Sequence, residues 1–159
     1  MAKDLIIVRA GRNSLHPTWL DTTTRRSWDL MVCPYEELPP QPEGVLVTDV
    51  VVGQLFTGWQ VFASQQVWSR FFERCAWLGA KLAQPALLEA SYFSHSVTVR
   101  NTEFTARRVS FVESNAPCFR NDVFAEMIAT FDLTANGWGW GLEFLWSKKL
   151  GYKDLFRNR

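Results

Sequence analysis

The sequence has few of the residues that build disulfide frameworks and metal sites. Its 159 residues include three cysteines, far apart and never in a Cys-x-x-Cys pair, and only two histidines. An odd, dispersed set of cysteines signals neither a disulfide scaffold nor a zinc site. Two histidines are too few for a multi-histidine metal centre. We therefore expect Cys33, Cys75 and Cys118 to be buried free thiols.

Excess charge and long apolar runs are also lacking. The net charge is +1 with scattered Lys and Arg, which gives no electrostatic footprint for nucleic acid or an anionic membrane. No apolar stretch approaches the roughly 20 residues of a membrane helix. The apolar run near the N-terminus is too short for a signal peptide. We expect a cytoplasmic protein without a transmembrane segment, and the sequence does not indicate an oligomeric state.

What the chain does have is enough apolar residues for one core. Hydrophobic residues make up 47% of the chain and charged ones 21%, a balance typical of a globular protein. Eight tryptophans and twelve phenylalanines are the compositional excess, and most of them should be core residues. We predict a single domain over residues 1–159.

Apolar runs alternate with amphipathic stretches, which predicts a three-layer α/β fold with a mostly parallel sheet. Residues 5–8 form a continuous apolar run, typical of a strand buried on both faces, so we place β1 at 4–9 and at the centre of the sheet. Runs at 28–33 and 45–52 predict two more strands, and residues 82–87 a short one. Period-two alternation over 96–101 and 105–113 predicts a β-hairpin.

Three helices are predicted from apolar periodicity. The clearest covers 64–78, with a stripe that contains Val67, Trp68, Phe71, Phe72 and Cys75 and that we expect to pack across the sheet. Ser64 can cap its start and Gly79 its end. A second helix begins at 121 with Asn121 and Asp122 as its cap and with Val123, Phe124, Met127 and Ile128 inward, and a third covers about 141–150.

The ends of the predicted parallel strands are candidates for ligand binding. Arg9 and Gly11 leave the carboxyl end of β1, the edge at which open α/β sheets bind ligands, and Asp49 lies in the third apolar run. Two arginines and a glycine in the loop after β1 can hold a diphosphate. The same residues also fit a loop whose arginines serve solubility, and a lone aspartate is often a cap or a surface residue.

The densest stretch of the chain is the tryptophan loop, residues 136–146, in which glycines alternate with Trp138 and Trp140. Glycine allows a close approach of the backbone, and an indole offers a flat apolar face with one donor, which together suit a sugar ring. Glu143 falls in the first turn of the last helix, where the helix dipole favours its charged form. That arrangement describes a general base, or else a tight corner with two core indoles.

Two further residues have alternative roles. Glu113 follows a predicted strand and either binds a substrate or belongs to a buried network, since buried acids persist when paired. His95, between two serines, is either a substrate or phosphate contact or a structural histidine.

Six segments taken in order resemble the bacterial and plant family labelled only as a domain of unknown function, whose plant members are called lysine-ketoglutarate reductase trans-splicing related proteins. The segments are DLIIVRAG at 4–11, SLHP at 14–17, LAQPAL at 82–87, SYFSH at 91–95, NAPCF at 115–119 and GWGWG at 137–141. The family is similar to GT-A glycosyltransferases, which transfer a sugar from a nucleotide-sugar donor with a divalent metal, Mn or Mg.

This resemblance implies roles for the candidate residues. The tryptophan loop is similar to the Trp-Gly-Trp-Gly-x-Glu element of the β-1,4-galactosyltransferases, so Trp138 or Trp140 would contact the sugar and Glu143 would be the base. His95 and Glu113 would contact substrate, and Arg9, Gly11 and Asp49 the nucleotide. The partners implied are a nucleotide sugar and a glycan acceptor, with no nucleic acid.

The chain departs from the family where the metal should bind. Family members carry an additional helix and a strand ending in aspartates between the stretch 53–58 and the helix at 64, and here no two aspartates stand within three positions of each other. The family also extends beyond residue 159. We therefore expect an incomplete, truncated GT-A-like domain without the metal site. Three hypotheses follow: a sugar transferase or a fragment of one, a degenerate module that binds a glycan or nucleotide without turnover, and a deletion product without function.

Overall fold

The structure is a computed structural model that describes residues 4–49, 63–130 and 141–151. By their internal contacts the residues fall into two compact units, Met1–Glu73 and Arg74–Arg159. Trp138 and Trp140 lie outside the described residues.

Three parallel strands form the sheet of the first unit. They are β1 (Asp4–Ala10), β2 (Trp28–Pro34) and β3 (Val45–Val47), in the spatial order β1-β2-β3. Asp4 pairs with Trp28 and Leu30 with Val45, which sets the register. The parallel sheet confirms the predicted α/β class, and the third run is a strand only as far as Val47 in the described residues.

The centre of this sheet is β2, and the prediction that β1 is central is wrong for the described residues. Along β2 alternate side chains are buried, among them Trp28, Leu30 and Val32 with no exposed surface. On β1, Leu5 is 44% exposed and Ile7 52% exposed, so one face of β1 is open. A continuous apolar run therefore marks a strand here without marking burial on both faces.

Helix α1 (Gln65–Leu78) confirms the clearest helix prediction. Trp68 and Phe72 are buried and Phe71 is partly buried, whereas Val67 is 49% exposed and does not belong to the inward stripe. Trp68 packs edge-on against Trp19, which ends a short 3₁₀ helix at His16–Trp19, with ring centroids 5.5 Å apart. This pair ties α1 to the segment that follows β1.

Both predicted caps of α1 are present. The Val67 N–H donates to the backbone oxygen of Ser64 at 3.1 Å and makes a longer contact of 3.4 Å with its hydroxyl. At the other end Gly79 has φ 60°, the Gly79 N–H donates to Ala76 O and the Ala80 N–H to Cys75 O. This pair of bonds is the Schellman motif, in which glycine takes the left-handed position without a Cβ penalty.

The second unit is built around a core drawn from several separated segments. Its elements are the antiparallel pair β4 (Leu82–Ala83) and β5 (Cys118–Phe119), and the helices α2 (Asn121–Ile128) and α3 (Leu142–Lys149). The core residues are Leu82, Val112, Val123, Met127, Leu142 and Trp146, with Phe119 and Leu150 packed against them. The strand predicted over 82–87 is thus only two residues long.

The predicted hairpin over 96–113 is wrong. Ser96–Thr98 is a 3₁₀ helix, Val99 makes only an isolated parallel bridge with Leu87, and residues 105–113 form no strand. The Arg107 guanidinium donates to the carbonyl oxygens of Val97 and Val99, which takes the acceptors that a hairpin partner would use. The period-two pattern also breaks at 111–113, where three successive residues are buried.

Two smaller predictions need correction. Helix α2 begins at Asn121 with Arg120 at the cap position and no side-chain cap, and of its four predicted inward residues Phe124 is 38% exposed and Ile128 43% exposed. The three cysteines are outside disulfides, and all three are partly exposed rather than buried as predicted. Within the described ranges, no helix has both the length and the apolar character that crossing a membrane requires.

Candidate functional site

Glu143 stands in the first turn of α3, as predicted, and its carboxylate is held by two donors. The Ser114 hydroxyl donates to Oε1 at 2.8 Å, and the Gly141 N–H donates to Oε2 at 3.2 Å. Gly141 is the N-cap residue with φ 92°, a left-handed conformation that glycine adopts without strain. The carboxylate therefore satisfies a backbone donor that the helix itself leaves unpaired.

The placement of Glu143 follows from how α3 is anchored. Leu142 and Trp146, four residues apart and 1% and 0% exposed, fix one face of the helix in the core. The Trp146 indole N–H also donates to the Thr130 hydroxyl at 2.9 Å. Glu143 therefore lies outside the core and remains partly exposed. The neighbouring Phe144 is 53% exposed.

Glu113 is buried, and its contacts with the described residues are hydrogen bonds rather than ion pairs. Oε1 accepts the His95 backbone N–H at 3.0 Å and lies 3.4 Å from the Thr98 hydroxyl, and Oε2 accepts from the Asn115 side-chain amide at 3.0 Å. Its own N–H donates to the Gln84 side-chain oxygen at 2.5 Å. A carboxylate at 7% exposure is tolerated because these donors replace water.

His95 is joined to this network through its backbone, and its ring faces an aromatic side chain. The imidazole packs against Phe111 with centroids 4.4 Å apart, and Phe111 in turn contacts Phe144 at 5.3 Å. Phe111 is 3% exposed while His95 itself is exposed. The imidazole thus lies on a buried aromatic surface and is presented outward.

The structure brings together three of the predicted site residues. Glu113 binds the backbone of His95, and Ser114, the next residue, binds Glu143. Ser114, Gln84 and Asn115 were missed as site residues. Gln84 and Asn115 lie inside segments that carry the family resemblance, at 82–87 and 115–119, and that position was the available signal.

In the first unit, the predicted nucleotide residues lie where the parallel strands end. Arg9 is exposed near the end of β1, Gly11 is buried just after it, and Asp49 is exposed two residues past β3. The Gly11 N–H donates to the Ser14 hydroxyl at 2.9 Å.

Glu36 is the residue at this edge that sequence reasoning missed. The Arg12 N–H donates to Glu36 Oε1 at 2.7 Å, and the Arg12 Nε–H donates to the backbone oxygen of Glu37 at 3.2 Å. Glu36 follows β2 by two residues, and parallel neighbours end at the same edge of a sheet. Its position just after the second predicted strand is the sequence feature that could have identified Glu36 as a candidate.

The residues described do not fit the divalent metal that the resemblance implies. No three His, Cys, Asp or Glu side chains come together in the described ranges, and the oxygens of Glu113 already accept hydrogen bonds.

Comparison of the chain with protein-family models, with curated proteins and with solved structures finds no match.

Proposed function

We propose that the chain is a glycosyltransferase-like domain of GT-A type that binds a sugar at Glu143, with Glu143 as the base that takes a proton from an acceptor hydroxyl. The observation that carries this proposal is the Glu143 carboxylate, held by Ser114 and Gly141 at the start of α3 and still partly exposed. A general base must be within a hydrogen bond, or one water, of the proton that it removes.

The surroundings of Glu143 suit a sugar. Phe144 and His95 are exposed rings that meet at Phe111, and apolar ring faces pack against the C–H face of a pyranose. The carboxylate is a strong acceptor for sugar hydroxyls. The Glu113 network fixes the backbone of His95 and the loop that carries Ser114, so the pieces of the site are held by a buried group.

The donor in this proposal is a nucleotide sugar, and the candidate residues for its diphosphate are Arg9, Gly11 and Asp49 at the sheet edge of the first unit. A divalent metal would supply charge stabilisation for the departing diphosphate in enzymes of this type. Since the described residues do not fit such a metal, the proposal assigns it no step in this chain.

A second candidate function is binding of a glycan or nucleotide sugar without turnover. It is favoured by the sequence, which has no pair of neighbouring aspartates, and by Glu143 itself, whose two oxygens both accept hydrogen bonds. The two functions share the sugar site and differ in whether Glu143 moves a proton.

The test is calorimetric titration of the full chain with neutral oligosaccharides and with uridine-diphosphate sugars, each with and without Mn²⁺, followed by measurement of sugar transfer when both are present. We expect Glu143→Gln to weaken oligosaccharide binding or abolish transfer, while Glu103→Gln, an exposed glutamate in the same unit, has no effect. Transfer that is lost in Glu143→Gln supports the enzyme, and sugar binding without transfer supports the module. Equal binding and turnover in a folded Glu143→Gln variant would remove Glu143 from the site.

A further inference from the structure

We infer that the loop after β1 is an anion-binding site that the protein occupies with its own carboxylate, that of Glu36. The Arg12 backbone N–H donates to Glu36 Oε1 at 2.7 Å, a distance typical of a strong charge-assisted hydrogen bond. The carboxylate of Glu36 is an anion that is already bound to this loop, so the loop can bind a negatively charged group.

The position of this contact favours a ligand site. The loop follows the carboxyl end of β1, and Glu36 follows the carboxyl end of its parallel neighbour β2. Ligands of open α/β sheets bind at this edge. Arg12 contributes both a backbone donor and a guanidinium, which donates to Glu37 O at 3.2 Å and so is kept beside the same loop.

Gly11 shows how closely the carboxylate approaches the loop. A Cβ added at Gly11 would lie 2.4 Å from Glu36 Oε1 and 2.3 Å from the Tyr35 hydroxyl, far inside van der Waals contact. Only glycine leaves room for an oxygen at this distance from the backbone. The Glu36 carboxylate, together with the Tyr35 hydroxyl, therefore lies in the space that a phosphate oxygen would take when it approaches the Gly11 and Arg12 backbone.

The ligand class is a diphosphate, and its binding exchanges one anion for another. A diphosphate oxygen would accept the Arg12 N–H in place of Glu36 Oε1, and the Arg12 guanidinium would add charge attraction. Glu36 then competes with the ligand, and the apparent affinity is the intrinsic affinity multiplied by the fraction of molecules in which Glu36 has left the Arg12 N–H. The inference rests on the proposed function only for the view that the diphosphate belongs to a nucleotide sugar.

A different role for Glu36 leads to the opposite result. If the carboxylate only holds the loop in shape, removing its charge disorders the loop and weakens any anion binding. If it occupies the site, removing its charge weakens its hold on the Arg12 N–H and strengthens anion binding. The direction of the affinity change separates the two roles.

The experiment is calorimetric titration of the wild-type chain, Glu36→Gln and Glu37→Gln with inorganic pyrophosphate at fixed ionic strength. Glu37 is the matched control, because its described contact to Arg12 uses only its backbone oxygen and the substitution removes the same charge from the next position. We expect Glu36→Gln to bind pyrophosphate about tenfold more tightly than the wild type and Glu37→Gln to change affinity by about twofold or less.

Three results would overturn the inference: weaker binding in a folded Glu36→Gln variant, equal changes in both variants, or no pyrophosphate binding by any of the proteins. Thermal melts establish whether each variant folds. If Glu36→Gln does not fold, the test is instead the NMR resonance of the Arg12 backbone amide in the wild type. That resonance must shift as pyrophosphate is added, and an unchanged resonance refutes the site. Oligosaccharide binding at Glu143 is measured separately, so failure here leaves the sugar proposal standing, and the reverse also holds.

Discussion

The Ser114 hydroxyl donates a 2.8 Å hydrogen bond to the carboxylate of Glu143, which lies twenty-nine residues later in the chain. This contact joins the segment that contains the buried Glu113 to the first turn of α3. Ser114 therefore sets the orientation of the one carboxylate in the candidate sugar site that remains partly exposed.

The first prediction concerns this contact. Ser114→Ala should lower oligosaccharide affinity about threefold to tenfold. Ser114 orients the carboxylate and the Gly141 N–H remains, so only part of the roughly 1.5–3 kcal/mol of a hydrogen bond to a charged group is lost from binding. Ser114→Thr keeps the hydroxyl and should restore most of the affinity. Titration calorimetry measures both variants, and an alanine variant that binds like the wild type would contradict the role of Ser114.

The buried pair Trp146 and Thr130 gives a stability prediction. Thr130→Val removes the acceptor of the indole N–H at a site where Thr130 is 1% exposed and Trp146 0% exposed. An unsatisfied buried donor costs about 1–3 kcal/mol, so the free energy of unfolding should fall by that amount in urea titrations. Thr105→Val makes the same replacement at an exposed position and should stay within about 0.5 kcal/mol of the wild type.

At Gly79 the energetic cost of a left-handed backbone conformation can be measured with little contribution from steric overlap. A Cβ at this position would meet only the Arg120 side chain, at 3.9 Å, so steric room is available and the backbone conformation at φ 60° is the main obstacle. Gly79→Ala should destabilise the protein by about 1 kcal/mol, and Gly79→Asn by less, because asparagine tolerates this region. Chemical denaturation checks the order, and equal stability of the alanine variant would refute the cap.

Asp21 predicts a stability that depends on pH. Hydrogen bonds from the Thr23 hydroxyl at 2.5 Å, the Thr23 N–H at 2.8 Å and the Thr24 hydroxyl at 3.0 Å lower the pKa of Asp21 below its ordinary value. The folded state then favours the charged form, so the stabilisation is present above about pH 4, the unfolded value, and is lost as the pH falls through the folded pKa. The difference in melting temperature between the wild type and Asp21→Ala should shrink below pH 4. A difference that stays constant down to pH 2 would contradict this origin.

The sequence predicted the elements whose signals are local. Helix α1 and its Gly79 cap, the parallel strands β1 and β2, and Glu143 in the first turn of α3 follow from spacing, apolar runs and cap residues, and all are confirmed. Signals of this kind depend on neighbours a few residues apart, which the sequence contains directly.

The errors concern contacts between distant residues. The hairpin failed because Arg107 takes the carbonyl oxygens of Val97 and Val99, and alternation of side chains does not report where carbonyl groups bind. Ser114 and Glu36 were missed because each meets its partner through the fold, over twenty-nine and twenty-four residues. The placement of β1 at the sheet centre failed because apolar character alone does not give strand order.

The core of the second unit also sets how that unit can form. Its buried residues come from both ends of the unit and from the middle, since Leu82 lies near one end and Leu142 and Trp146 near the other. Closing such distant segments costs chain entropy before any burial compensates it, so folding should be slow and all-or-none rather than stepwise. A ribosome that has released Leu82 but not yet Trp146 would therefore hold a segment with no core of its own, and protection by chaperones would matter most during that interval.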